Sequence, residues 1–462
     1  VGEATEELHL QLSDSEFGNA PVDLPMSVLF GKPPRMQREI RRQAVELKPL
    51  QLALSVPAAL ERVLQLPTVA SKSFLITIGD RPVTGMVARD LMVGPWLVPV
   101  AVCAVTTVSY DSFAGEAMAM GERTPLALID GPASGRMAVA EAITNIAAAA
   151  IADIRDIKLS ANWMCAAGYG REDETLYDTV RAVGMELCPE LGITIPVGKD
   201  SMSMRTTWRD TQEDKAVTAP MSLVVSAFAP VTDARLSVTP QLQPDADATL
   251  LLLDLGHGAN RLGGSALAQV CAELGDTAPN LDDAASLKAM FELVQEFLGR
   301  GQLLAYHDRS DGGLVITLLE MAFAGQCGLQ VDVATLSGDH LARLFSEEAG
   351  AVVQIAGGDL ESFLARAAAL GLADCLHPLG RAVAGDELVI SDGAEEILRD
   401  SRARLQRLWA RTSYEIQSLR DNPECALEEF QRIGADEPGL SAQLSFDPSD
   451  DIAAPYVASG VR

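Results

Sequence analysis

A short apolar run, Leu303 to Ala305, leads into Tyr306-His307-Asp308-Arg309-Ser310-Asp311-Gly312-Gly313, and a long apolar run, Leu314 to Ala324, follows at once. The first run has the length of a buried strand and the second that of a buried helix. Two aspartates, a serine hydroxyl and two glycines therefore stand where a strand turns into a helix. That is where α/β proteins hold metal ions and phosphates, because free backbone N–H groups meet the positive end of the helix dipole there. The plainer reading is a tight loop with an Asp N-cap and glycines for turn geometry. Residues upstream tip the balance toward the metal and phosphate.

Strand-like and helix-like runs alternate along most of the 462 residues, too many for a single core. The pattern predicts a layered α/β (α+β) architecture in two modules. The first, residues 46–230, has strands expected at 74–78, 98–108, 126–129, 157–161, 193–196 and 222–228, and helices at 134–154 and 175–187. The second, residues 231–400, has strands at 249–253, 302–306, 329–333, 351–355 and 387–390, and helices at 265–274, 284–298, 314–324 and 360–370. Residues 1–45, with Gly31-Lys32-Pro33-Pro34, read as a connector. Residues 401–462 read as a charged helix and then a linker rich in Pro and Asp. The chain opens at Val1 and stops at Arg462 as if cut from something longer.

The net charge of −28 excludes a basic stripe able to displace counterions, so neither nucleic acid nor an anionic membrane is an expected partner. Seven cysteines are scattered with no CxxC pair, and five histidines show no metal spacing. They read as buried thiols in a reducing, cytoplasmic compartment rather than a disulfide framework or a zinc site. The longest apolar helix candidate carries Glu141 and Asn145, too polar for a membrane span.

Glu141 and Asn145 are four apart and share one helix face among Ala, Val and Ile. An ionised Glu there is costly unless paired. With Asp308 they offer three oxygens to a hard cation such as Mg²⁺, which keeps waters and substrate phosphates in its shell; the plainer reading is a solvent-facing edge. Lys72 precedes an expected strand and is placed to meet a phosphate, although most such lysines are merely solvated. Gly198-Lys199-Asp200-Ser201 lacks Walker A spacing, and Gly256 to Ser265 lacks the dinucleotide-binding spacing. No Ser/His/Asp arrangement is present, so no catalytic residue is assigned.

Several runs resemble phosphoribosylformylglycinamidine synthase of the large single-chain bacterial type: Leu66 to Leu75, Val87 to Asp90 with Gly94-Pro95-Trp96, Tyr110-Asp111-Ser112, Lys158 to Met164, Pro196 to Met204 and His307 to Gly313. The resemblance implies aminoimidazole ribonucleotide synthetase-like N-terminal and C-terminal modules. It implies the end of that enzyme's first half, its whole second half and the linker toward a missing glutaminase. The implied reaction is the ATP-dependent conversion of formylglycinamide ribonucleotide and glutamine to formylglycinamidine ribonucleotide in purine biosynthesis. In this family the second half holds an auxiliary ADP. By resemblance, Glu141, Asn145 and Asp308 are Mg²⁺ ligands, and Lys72, Ala101 and Ser310 touch the nucleotide (ATP/ADP). Val102 stands where the family has a further aspartate ligand, and Ala167 to Asp173 lacks its His-Pro-Gly. The fragment alone is expected to be inactive. A nucleotide-holding scaffold without turnover, or a free-standing kinase-like member of the superfamily, are the alternatives.

Overall fold

Alternating burial along the strands shows how the first sheet is dressed. In β5 (Gly115–Glu122) every second residue is buried, and β10 (Ser222–Val231) alternates likewise. One face carries the core and the other faces outward, as an antiparallel sheet with one covered side requires. The computed structural model describes residues 2–32, 39–40, 42–43, 45–79, 81, 85–244, 247–309, 311–447 and 450. Ser310 and the tail beyond residue 450 lie outside them. Contacts divide the chain into two units, residues 1–41 and 42–462.

The smaller unit holds an antiparallel hairpin, β1 (His9–Asp14) and β2 (Asn19–Pro25), followed by the short helix α1 (Met26–Phe30). The larger unit starts with α2 (Val56–Val63) and α3 (Ser73–Ile76). Its first sheet runs in the order β3 (Val87–Arg89), β4 (Ala104–Thr107), β5, β10, β6 (Lys158–Met164), β7 (Thr194–Ser201). Among the described strand pairs of this sheet, only β6 and β7 run parallel. Helix α4 (Gly131–Ile146) lies against β5 and β10, and α5 (Glu172–Arg181) and α6 (Cys188–Leu191) follow β6. A separate hairpin joins β8 (Arg205–Asp210) and β9 (Glu213–Thr218).

The second sheet uses β11 (Ala248–Asp254), β12 (Leu303–Asp308), β13 (Gly328–Asp332), β14 (Gly350–Ala356), β15 (Leu376–Val383), β16 (Glu387–Asp392) and β17 (Glu395–Ser401), in the order β12-β14-β11-β15-β13-β16-β17. Its helices are α7 (Ala266–Val270), α8 (Ala284–Gly299), α9 (Gly313–Gly325), α10 (His340–Phe345) and α11 (Gly357–Ala369); α12 (Arg402–Arg420) and α13 (Pro423–Arg432) follow the sheet. One core cluster includes Ile143 and Val225 of the first sheet layer with Val353 and Phe297 of the second. Apolar packing therefore continues across the seam between the modules.

The mixed α/β architecture is the expected one, and several elements differ in detail. The apolar stretch 74–78 is not a strand: Ser73–Ile76 is a helical turn whose Phe74 N–H donates to Ser413 Oγ of α12. Residues 98–103 are irregular, with Leu97 at φ 53°, and the strand begins only at Ala104. Residues 124–128 form a 3₁₀ turn with Pro125 in its first positions. Helix α4 stops at Ile146 rather than 154. There Gln295 of α8 intervenes: its side chain accepts from the Ile151 N–H and donates to the Ala147 carbonyl. No helix among the described residues is long and apolar enough to cross a membrane. Among the described residues no disulfide joins any of the seven cysteines, and five of them are buried.

Candidate functional site at the seam between the modules

Helix α4 starts cleanly because Asp130 caps it, accepting from the Ala133 N–H at 2.9 Å, with Pro in its first turn. It then passes very close to β5. A Cβ at Gly121 would lie 2.1 Å from the Ala138 carbonyl oxygen, so only glycine permits the approach. This closeness lets two side chains of α4 reach the strand's backbone. Glu141 accepts from the Glu122 N–H at 2.6 Å, and the Asn145 amide donates to the Met120 carbonyl at 2.9 Å. The shared face expected for these two residues is what the helix presents to the end of β5.

Asp308 arrives from the other module. It is the last residue of β12, 3% exposed. Two residues earlier, buried Tyr306 donates from its hydroxyl to the Thr144 carbonyl of α4 at 2.6 Å. Residues i and i+2 of a strand share a face. The bond at Tyr306 therefore turns Asp308 toward the same helix that carries Glu141 and Asn145.

The loop after β12 is tightly specified. Gly312 (φ 89°) and Gly313 (φ 77°) are left-handed, and a Cβ on Gly313 would meet the backbone of Phe345 at 2.5 Å. Helix α9 has no side-chain N-cap, contrary to the Asp cap of the plainer reading. Instead the Gly312 N–H donates to Glu347 Oε1 at 2.7 Å. Glu347 also accepts from the Ala266 N–H at 2.8 Å and from the guanidinium of Arg123 at 2.9 Å. Arg123, 3% exposed, reaches Asp311 as well, at 2.9 Å. Sequence reasoning missed this bridge: Arg123 lies at the end of β5, 188 residues before Asp311 and 224 before Glu347. A second buried pair, Arg309 to Asp254 at 2.5 Å, anchors the same loop from beneath.

Electrostatics confirm the crowding. Burial raises the Glu141 carboxyl well above the carboxylate range, Asp311 and Asp308 push the same way, and Arg123 with the Glu122 N–H opposes them. Burial also pushes Asp311, which keeps a solvent-facing edge, up to about 7, with Arg123 pulling down and Glu347, Glu122 and Asp308 pushing up. Burial pulls the His307 imidazole down, but hydrogen bonds to Asp308 (2.9 Å) and Glu320 (3.0 Å) outweigh it and hold His307 at about 10. His307 thus sits between two acidic side chains that favour its charged form. Lys72 stands at the start of α3, its ammonium donating to the carbonyls of Thr68 and Ala70. Burial lowers its pKa, while Glu320 and Asp311 raise it.

Glu141, Asp308 and Lys72 therefore share one neighbourhood, and Asn145 sits one turn from Glu141. Ala101 packs on the second core cluster beside the irregular stretch that precedes β4, its N–H on the Leu91 carbonyl. Val102 packs on the first cluster. Among the described residues no three His, Cys, Asp or Glu side chains stand close enough to hold a metal. The oxygen set here is two carboxylates and one amide. Gly198 to Ser201 forms the edge strand β7, not a loop, and Lys199 and Asp200 are exposed. In the glycine-rich stretch after β11, Asp254 takes the N–H groups of Gly256 and Gly258. Those donors are spent within the protein, as the packing reading requires.

Residues 71–230 match the family model described as FGAR-AT PurM_N-like domain, and residues 246–393 match the AIR synthase related protein, C-terminal domain. Among solved structures, Thermotoga maritima PurL complexed with FGAR is similar with a TM-score of 0.60 and 13% identity over 77% of this chain and 54% of that one. The structure of PurLQS from Thermotoga maritima is similar at 0.54, with 12% identity over 76% of this chain and 51% of that one. T. maritima PurL complexed with AMPPCP is similar at 0.52, with 10% identity over 76% and 51%. The chain spans about half the length of these structures. Its two modules are an FGAR-AT PurM_N-like domain and an AIR synthase related C-terminal domain, joined in an AIR synthetase-like fold.

Proposed function

We propose that this chain is the second synthetase-like half of a phosphoribosylformylglycinamidine synthase, and that it holds a nucleotide rather than turning one over. The parent reaction converts formylglycinamide ribonucleotide, with ATP and ammonia from glutamine, into formylglycinamidine ribonucleotide. Three findings support the reading. Both family models match in the order this enzyme requires. Two similar structures are of T. maritima PurL complexed with FGAR and with AMPPCP. Above all, Glu141 from one module and Asp308 from the other are near enough to repel each other, beside buried Arg123, and a bound cation would relieve that repulsion.

The proposed ligands of Mg²⁺ are Glu141, Asn145 and Asp308. Two carboxylates and an amide oxygen fit a hard ion that retains waters and phosphate oxygens. When bound, Mg²⁺ would neutralise phosphate charge. The chain's own residues do the rest. Lys72, half-buried beside Glu320 and Asp311, faces the phosphates as a desolvated cation, with Ala101 and Ser310 as further nucleotide contacts. His307 fixes the Asp308 carboxylate against Glu320. Arg123 holds the loop carrying Asp311 in register with α4. The modules take the proposed limits 46–230 and 231–400, with a linker over 401–462 leading toward a glutaminase, and the parent acts in the cytoplasm.

A thermal-shift titration with ADP and Mg²⁺, followed by an ATP-turnover assay with formylglycinamide ribonucleotide and ammonia, tests the reading. Stabilisation by Mg²⁺–ADP that Glu141→Gln weakens, without product, is expected. The reason for inactivity is that reacting groups must be held at near-attack distance. Product from the pure chain refutes the holding role. No shift at millimolar ADP refutes the nucleotide site.

A further inference from the structure

Between α12, α13 and the irregular stretch 92–99 lies a cavity of about 410 Å³, well within the size range of small-molecule sites. Trp96, Trp409, Tyr414, Gln406, Gln417 and Ser73 are among the residues that line it. Both indole N–H groups are spent: Trp96 donates to the Glu437 carbonyl at 3.0 Å and Trp409 to the Val69 carbonyl at 2.9 Å. Their rings remain as apolar lining. The Tyr414 ring is stacked on Phe430 at 4.6 Å.

The two glutamines are both 7% exposed, and each uses only its oxygen. Gln406 Oε1 accepts from Arg402 at 2.6 Å and from Gln326 at 3.4 Å. Gln417 Oε1 accepts from Ser413 at 3.3 Å and Ser73 at 3.5 Å. Among the described residues neither amide NH₂ has an acceptor. Two directed donors beside aromatic walls suit a flat ring whose edge carries nitrogen acceptors.

The cavity also has an address. Ser71 and Ser73 line it from either side of Lys72, and residues 92–99 end next to Ala101. It therefore adjoins the positions proposed to meet the phosphates. From this juxtaposition we infer that the cavity receives the heterocyclic base of the bound nucleotide, with Gln406 and Gln417 donating to its ring nitrogens. The inference rests on the nucleotide reading above and locates the base within it. The C-terminal helices α12 and α13 thereby become part of the ligand site rather than only a linker.

Calorimetric titration of the 462-residue chain with ADP, adenosine and pyrophosphate separates the two readings. The variants are Gln406→Met and Gln417→Met, which keep volume and remove the whole amide, both its NH₂ donor and the oxygen that accepts from Arg402 and Gln326 or from Ser413 and Ser73, with Glu141→Gln for the phosphate end. Circular dichroism establishes that each is folded. The expected result is ADP and adenosine bound roughly three- to tenfold more weakly by each glutamine variant, the loss of one hydrogen bond, with pyrophosphate unchanged. Quenching of tryptophan fluorescence by adenosine accompanies it. ADP bound equally by native chain and both glutamine variants, but weakened by Glu141→Gln, overturns the base site and leaves the nucleotide reading standing. Adenosine bound in a glutamine-dependent way without any ADP or pyrophosphate binding upholds the cavity and overturns the phosphate site. Binding of none of the three overturns both.

Discussion

Replacing Arg123 by Met should cost the larger unit about 3 kcal/mol. The guanidinium donates to Asp311 at 2.9 Å, to Glu347 Oε2 at 2.9 Å and to the Glu347 carbonyl at 3.1 Å. Breaking a buried pair by removing one partner typically costs 3–5 kcal/mol, because the other charge is left uncompensated. Two features place this case at the low end. Glu347 keeps the N–H donors of Gly312 and Ala266, and Asp311 retains 41% of its side-chain exposure. For a module of this size the loss corresponds to roughly 6–12 °C in Tm. Differential scanning fluorimetry and urea unfolding read it directly. Asp311→Asn alone should be mild, and the double variant Arg123→Met/Asp311→Asn should be less destabilised than the two losses added, by about 1 kcal/mol or more. Arg123→Lys should recover part of the loss, since it keeps the charge but not the fork. A cost below about 1 kcal/mol for Arg123→Met, or strict additivity in the cycle, would show that the bridge does not fasten the loop to the first module.

Three further outcomes are expected. Val102→Asp should tighten Mg²⁺–ADP about tenfold to a hundredfold by returning an anionic ligand, at a stability cost of about 1–3 kcal/mol because Val102 packs on the core; equal affinities by calorimetry mean that position 102 does not face the metal. Burial raises the Asp254 carboxyl, but Arg309 and the Gly256 and Gly258 N–H groups outweigh it and lower its pKa in the fold below the ordinary 3.8. Its stabilisation is therefore present above about pH 4 and lost as pH falls through the lower folded value, so Asp254→Asn should flatten the acid limb of a stability–pH curve; an unchanged limb counts against the pair. The outward face of the first sheet exposes Met120 (58%) and Phe228 (44%). Concentrated protein should self-associate through it, and Phe228→Glu should reduce the apparent mass in light scattering; a native monomer at high concentration contradicts this.

The strand–loop–helix around Asp308 was legible because it is local: a buried strand, glycines required by backbone geometry and an apolar helix all fall within some twenty residues. The module pattern was legible for the same reason. What escaped was set by tertiary partners. Apolar composition carries α4 onward to 154, yet Gln295, 144 residues later, captures the backbone at Ile151 and ends it. Phe74 to Ile78 looks like a strand until Ser413 of α12 engages Phe74. No spacing rule announces that Arg123 will meet Asp311 across 188 residues.

That division explains the character of the site. Each half is prepared by its own local rules: Glu141 and Asn145 by the close approach of α4 over Gly121, Asp308 by the strand alternation that begins with Tyr306. Neither half gathers enough oxygens for a cation alone. Register between them depends on two long-range bonds, Tyr306 to Thr144, which is buried, and Arg123 to Asp311, which faces solvent at the aspartate; both are free of the expected ligand set. A variant at either bond should therefore disturb nucleotide binding without touching the nucleotide. Tyr306→Phe is the sharper probe, since it removes a single hydroxyl and leaves the charge balance of the carboxylates intact. A roughly threefold to tenfold loss in ADP affinity with the fold preserved is expected, and unaltered affinity would mean that the seam holds its register without this bond.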